Sequence, residues 1–142
     1  MNSPAMLHID FVSDISCPWC AIGLAALGQA LESLAGEISA EIHCQPFELN
    51  PVLGPEGENA VEHLVAKYGS SRADIDRIQD TIHARGAALG FTFDFARRVR
   101  IWNTFDAHRL LHWAGTLGAE HQMLLKKALF RVYFTLGENV AD

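Results

Sequence analysis

Apolar and polar residues alternate over residues 7–13, with Leu7, Ile9 and Phe11 set against His8 and Asp10. That two-residue period predicts a strand with one covered face, and the turn-prone pair Ser13 and Asp14 ends it. From Pro18 the period lengthens. Leu24, Leu27, Leu31 and Leu34 recur at helical spacing as far as Ala35, polar positions are few (Gln29, Glu32, Ser33), and Gly36 stands where a helix C-cap glycine belongs. A helix largely covered by protein is predicted. Residues 38–49 return to alternation, with Ile42 and Cys44 on one face and Glu41, His43 and Gln45 on the other. Pro46 cannot donate to a ladder and marks an edge, a bulge or the strand's end. Two strands joined by a helical crossover predict a βαβ unit with parallel strands and a right-handed connection.

Residues 50–59 hold two prolines and two glycines and read as a loop. They divide the chain into an N-terminal βαβ part, residues 1–50, and a part that reads as helical, residues 51–142. In the latter, Ile75, Ile78, Ile82 and Leu89 form one stripe ending near Gly90. Asn103 or Thr104 is placed to cap a helix running through Ala107, Leu111 and Ala114 to Gly118. A last helix carries Leu125, Leu129, Val132 and Leu136 before Gly137. Trp102, Phe105, Trp113, Phe130, Tyr133 and Phe134 fall at helical spacings and are expected in the core, some of them lining a cleft above Cys17. The fold class is α/β.

At 142 residues the chain is long enough to bury a core without disulfide or metal staples, so its cysteines need another explanation. No apolar run approaches the length of a membrane-spanning helix. A formal net charge of −6 disfavours nucleic acid as a partner, and the basic run Arg97, Arg98, Arg100 reads as a solvated helix edge. The first residues carry no Lys or Arg and no apolar signal segment, so with Met1 as the true start a cytoplasmic location is expected. Three cysteines are too few for a secreted disulfide framework.

Cys17 and Cys20 stand three apart at the join between strand and helix, at the carboxyl end of the first strand, where open α/β sheets bind ligands. They can be half of a metal site, a structural bridge or a redox pair. Structural zinc wants four ligands and normally a second Cys/His pair, and only Cys44 and scattered histidines are on offer. Redox chemistry is favoured. A cysteine at a helix N-terminus gains thiolate character from unpaired N–H groups and the helix dipole, which places Cys17 as the nucleophile with a depressed pKa. Pro18 at the first helical position costs no hydrogen bond. Cys20, a turn deeper, is expected to be the resolving thiol with the higher pKa, and Trp19 adds bulk without charge. Cys44 reads as a small buried hydrophobe. His108 and His112 are four apart but lack the glutamate of a zinc helix, and a packing or capping role is expected.

The stretch "VSDISCPWCAIG" resembles the DsbA-like branch of the thioredoxin fold, specifically its cytosolic FrnE-type group, with the 2-hydroxychromene-2-carboxylate isomerases as sister group. "QPFELNP" at residues 45–51, "NTFDAHRLLHWA" at 103–114 and "ALFRVYFTLGENVAD" at 128–142 carry the same resemblance, which spans nearly the whole chain. It implies a thioredoxin-like βαβ half followed by an all-helical insertion that forms a lid. It also implies dithiol–disulfide exchange through Cys17 and Cys20, with Pro18 and Trp19 completing the motif. His108 belongs to one of the shared blocks and is taken as mainly structural. Chains of this fold continue into two more strands and a helix, with a cis-proline facing the CxxC. Here the prolines are at 4, 18, 46, 51 and 55, all ahead of the helical segment, so the C-terminal strand-strand-helix half is expected to be absent.

The leading expectation is a protein-disulfide oxidoreductase or isomerase with no cofactor and no metal, acting on a disulfide-containing protein or a small thiol. A glutathione-dependent isomerase, with glutathione as co-substrate, is the enzymatic alternative, although two cysteines in the motif argue for redox. A non-catalytic metal- or protein-binding module is the third. An exposed sheet edge would favour a homodimer.

Overall fold

A computed structural model describes residues 3–142; the reading of Met1 as the start of the chain lies outside them. β1 (Ala5–Ser13) and β2 (Ile38–Pro46) pair in parallel, in register from Ala5 opposite Ile38 to Ser13 opposite Pro46. α1 (Pro18–Ser33) is the crossover between them. This is the βαβ unit that the alternating periods predict, and Pro46 closes its second strand. Gly36, at φ +92, turns the chain from α1 into β2, where the Glu37 and Ile38 N–H groups both donate to the Leu34 carbonyl.

α1 is less covered than its composition suggests. Ala21 and Leu24 are buried, Leu27 and Leu31 are half-buried, and Leu34 is exposed. A sheet of two strands is too narrow to roof 16 residues of helix, so burial is confined to the end nearest the cysteines.

The remainder comprises α2 (Ala60–Tyr68), α3 (Arg72–Ala88), α4 (Phe105–Leu117), α5 (Ala119–Phe130) and a π turn, Arg131–Thr135. Local capping starts α2, where the Asn59 side chain accepts from the Val61 and Glu62 N–H groups. A capping box of Ser71 and Asp74 starts α3. The segment is not all-helical. β3 (Glu58–Asn59) pairs antiparallel with β4 (Arg100–Ile101), and Arg100 reinforces the bridge by donating to the Glu56 carbonyl at 2.6 Å. Strands of two residues leave no periodicity to read.

In α3 the buried positions are Ile75, Ile82 and Gly86. Ile78 faces outward, and the missing Cβ of Gly86 lets the Phe93 ring lie against the helix. α4 buries Ala107, Leu111 and Ala114 as their spacing predicts, with His108 beside them, and the Asn103 side chain accepts from the Phe105 N–H at 2.9 Å. α5 differs from expectation. Its buried face is Gln122, Lys126 and Phe130, continued by Tyr133 and Phe134, while Leu125, Leu129, Val132 and Leu136 stand half-buried at its flanks. The extra residue of the π turn brings both Tyr133 and Phe134 inward, a shift that helical spacing does not anticipate. Gly137, at φ +72, then passes so close to the Arg97 carbonyl that no Cβ would fit.

Two further expectations are corrected. Arg98 is no part of a solvated helix edge: it lies in an irregular segment, 6% exposed, with its guanidinium 5.0 to 5.7 Å from the ring centres of Phe95, Tyr133 and Phe134. Phe105 and Trp113 are not core. Both are exposed on the outer side of α4, whereas Phe130, Tyr133 and Phe134 are fully buried.

One apolar cluster joins Ile15, Ala21 and Leu24 to Ile82, Phe93, Leu111, Phe130 and Phe134, so the helical segment supplies the floor beneath the CxxC. The edge of β2 is blunted by α5. The Gln122 side chain accepts from the Cys44 N–H at 2.7 Å and donates to the Cys44 and Leu111 carbonyls, taking the place of a neighbouring strand. Among the described residues no helix is long and apolar enough to cross a membrane.

Candidate active site

Cys17 is the N-cap of α1, in extended backbone geometry, with Pro18 as the first helical residue. Its sulfur accepts the Cys20 N–H at 3.3 Å, and its own N–H donates to the Asp14 carbonyl at 3.3 Å. Both thiols are free and half-buried. Trp19, between them, is 45% exposed, and the Arg85 guanidinium of α3 lies 5.6 Å from its ring centre. The motif itself carries no basic residue, and the fold brings one to it. An open hollow of ≈ 430 Å³ beside this pair is lined by Trp19, Ser70, Asp74, Arg77, Ile78 and Thr81.

The two thiols act on each other's charge. The S–H of Cys17 bonds to the Cys20 sulfur, which pushes the Cys20 thiol down to about 6; burial opposes this, while a backbone N–H at Asp14 and the charge of Lys126 assist it. The same S–H···S bond, together with burial and the charge on Cys20, pushes the Cys17 thiol far above the ordinary range, against the pull of the Cys20 and Trp19 backbone N–H groups. Spacing alone puts the low pKa on Cys17. In the structure the downward push falls on Cys20, through the hydrogen bond from the Cys17 side chain and the charge of Lys126. The two ionisations belong to the pair and not to either sulfur alone.

Residues that carry no motif hold this loop. Asp14, 2% exposed, accepts from the Ser16 hydroxyl at 3.0 Å, the Leu49 N–H at 2.8 Å and His108 Nε2 at 3.1 Å. His108 Nε2 also lies 3.0 Å from the Phe47 carbonyl. Two acceptors on one nitrogen mean that Nε2 carries the proton. Burial pushes the Asp14 carboxyl up, but the hydrogen bonds from His108, Leu49 and Thr104 outweigh it and hold the group below its ordinary value. The loop before Cys17 is thereby pinned to the end of β2 and to α4. The expected structural role of His108 holds in this sense, and its neighbour His112 is exposed. Asp14 escaped notice in the sequence because its partner is 94 residues away.

Behind the cysteines stands Lys126 of α5, wholly buried, with no hydrogen-bond partner at Nζ and with the Phe130 ring centre 5.2 Å away. Cys44 is buried, and burial pushes its thiol up, in keeping with a small hydrophobe. Among the described residues, the group of three donors close enough for a metal ion is His8, Glu41 and His43 on the open face of the sheet, and it includes neither cysteine of the motif.

Comparison with known proteins agrees with this geometry. No curated protein matches the sequence. A probable DsbA oxidoreductase of Streptomyces coelicolor is 33% identical at a TM-score of 0.83, over 95% of this chain and 57% of that one. The chain thus spans little more than half the length of that relative. A candidate protein disulfide isomerase of Nitrosomonas europaea, at 15% identity and TM-score 0.58 over 99% of this chain and 60% of that one, shares the fold. The family model described as a DSBA-like thioredoxin domain matches residues 8–142, and the chain belongs to this DsbA-like thioredoxin family.

Proposed function

We propose that the chain carries the dithiol–disulfide exchange chemistry of a FrnE-type DsbA-like oxidoreductase. The observation that carries this reading is the placing of two free thiols at the N-terminus of α1, with Cys17 Sγ accepting the Cys20 N–H at 3.3 Å and the Cys20 thiol pushed down to about 6. Such a pair is substantially thiolate at neutral pH, and the thiolate is the nucleophile of exchange. Cys17 Sγ attacks a substrate disulfide, forming a mixed disulfide and releasing one thiol. Cys20 Sγ then attacks the Cys17 sulfur, closing the Cys17–Cys20 disulfide and releasing the second thiol. Two electrons and two protons leave the pair and reach the substrate sulfurs, and the reverse sequence oxidises a substrate dithiol.

The hollow beside Trp19 is where we seat the side chains flanking the substrate disulfide, on a protein or a small thiol such as glutathione. No cofactor enters the cycle. We place the protein in the cytoplasm on its sparse cysteine content, and we give nucleic acid no part. Insulin reduction and refolding of a scrambled disulfide protein should both vanish in Cys17→Ser. Cys20→Ser should retain a trapped mixed disulfide at Cys17. Undiminished turnover in Cys17→Ser would end this reading.

A further inference from the structure

We propose that Lys126 is the internal countercharge and second proton site of the Cys17–Cys20 pair: an ammonium while the pair is reduced, an amine once it is oxidised. The inference rests on the exchange reading above. It starts from an anomaly of packing, since a lysine with no exposed surface and no acceptor at Nζ is a costly arrangement unless an opposite charge compensates it.

The groups that face Lys126 come from four elements. They are Asp14 in the loop before α1, Cys17 and Cys20 at the start of α1, Cys44 on β2, and His108 and His112 on α4. Asp14 is committed to His108, Ser16 and the Leu49 N–H, and His108 keeps its Nε2 proton between Asp14 and the Phe47 carbonyl. Cys44 is held neutral by burial. What remains to balance the ammonium is the thiolate shared by Cys17 and Cys20, and Lys126 in turn lowers the pKa of Cys20. Burial pushes the Lys126 ammonium toward the amine, and the sulfurs push it back.

The exchange then balances without an outside proton. One thiol, one thiolate and one ammonium react with a substrate disulfide to give the protein disulfide, a neutral Lys126 and two substrate thiols. The pair gives up two electrons. One proton comes from the remaining thiol and the other from Lys126. Losing the thiolate leaves a buried cation without compensation, so the charge of Lys126 favours the reduced pair and makes its disulfide the more oxidising.

The test uses the full chain. In Lys126→Met the first thiol ionisation, followed by thiolate absorbance, should rise by about one pKa unit, a tenfold loss of thiolate near neutral pH. The equilibrium with glutathione should move about tenfold toward the protein disulfide, about 30 mV for a two-electron couple. Lys126→Arg should restore part of both. Independently of any variant, lysine carbon NMR of the unmodified chain should show Lys126 as an ammonium when reduced and an amine when oxidised. Unchanged thiolate titration and potential in a folded Lys126→Met, or one protonation state of Lys126 in both redox forms, would overturn the proposal. An unmodified chain that forms no Cys17–Cys20 disulfide in glutathione buffer would overturn the exchange reading itself, which is a different result.

Discussion

The loop in front of Cys17 and the α5 wall behind it each bury an ionisable side chain, and they treat it in opposite ways. Asp14 is surrounded by donors, from Ser16, Leu49 and His108, so its charge is spent on holding three elements together. Lys126 has the sulfurs and the Phe130 ring close by, and its Nζ makes no hydrogen bond. A satisfied buried charge anchors the backbone, whereas an unsatisfied one leaves its field acting on whatever charge lies nearby. Here that is the Cys17–Cys20 pair.

The contrast breaks first at Asp14. Asp14→Ala strands the Leu49 N–H and leaves His108 Nε2 with the Phe47 carbonyl alone, and should destabilise the chain by about 3 kcal/mol in urea unfolding. A loss under about 1 kcal/mol, on the order of an ordinary hydrogen bond, would mean that the clamp is ornamental. Gln122→Leu is next. It removes the side chain bonded to both backbone groups of Cys44 and should cost about 2 kcal/mol, with loosened amide exchange along β2 as its second sign. In the oxidised chain, where no thiolate faces Nζ, Lys126→Met should go the other way and raise stability by about 1 kcal/mol, since an apolar side chain replaces a buried polar group without a partner. A destabilised Lys126→Met would show that the site treats both charges as anchors. Trp113→Ser, on the exposed side of α4, should stay within about 0.5 kcal/mol.

Acid sharpens the same comparison. The folded carboxyl of Asp14 lies below its ordinary value of 3.8, so its contribution is complete above that pH and is lost as pH falls through the lower folded value. Asp14→Asn should flatten this acid limb of the stability profile, while Lys126→Met leaves it in place.

How much of this was legible depends on the range of the interaction concerned. The alternation of residues 7–13 sits within β1, Pro18 opens α1, Pro46 closes β2, and the Asn103 side chain accepts the Phe105 N–H at the start of α4, because strand period, fixed φ and capping act over a few residues. The covered helix expected from Leu24, Leu27, Leu31 and Leu34 was half correct, since coverage depends on the width of a sheet that hydropathy does not report. The inward face of α5 was misread because a π turn changes the register. The burial of Arg98 was missed because three aromatic rings reach it from residues 95, 133 and 134.

For the candidate site, sequence alone supplied the groups that the proposed chemistry uses: two cysteines three apart, a proline that opens the helix, and a strand that ends just before them. Those are local covalent and backbone facts. Tertiary structure decided what surrounds the sulfurs. The Asp14–His108 clamp spans 94 residues, Arg85 reaches Trp19 from α3, and Lys126 comes from α5. Electrostatics in a low-dielectric interior acts through space and not along the chain, so the identity of the charges around Cys17 and Cys20 exists only once the helices have packed.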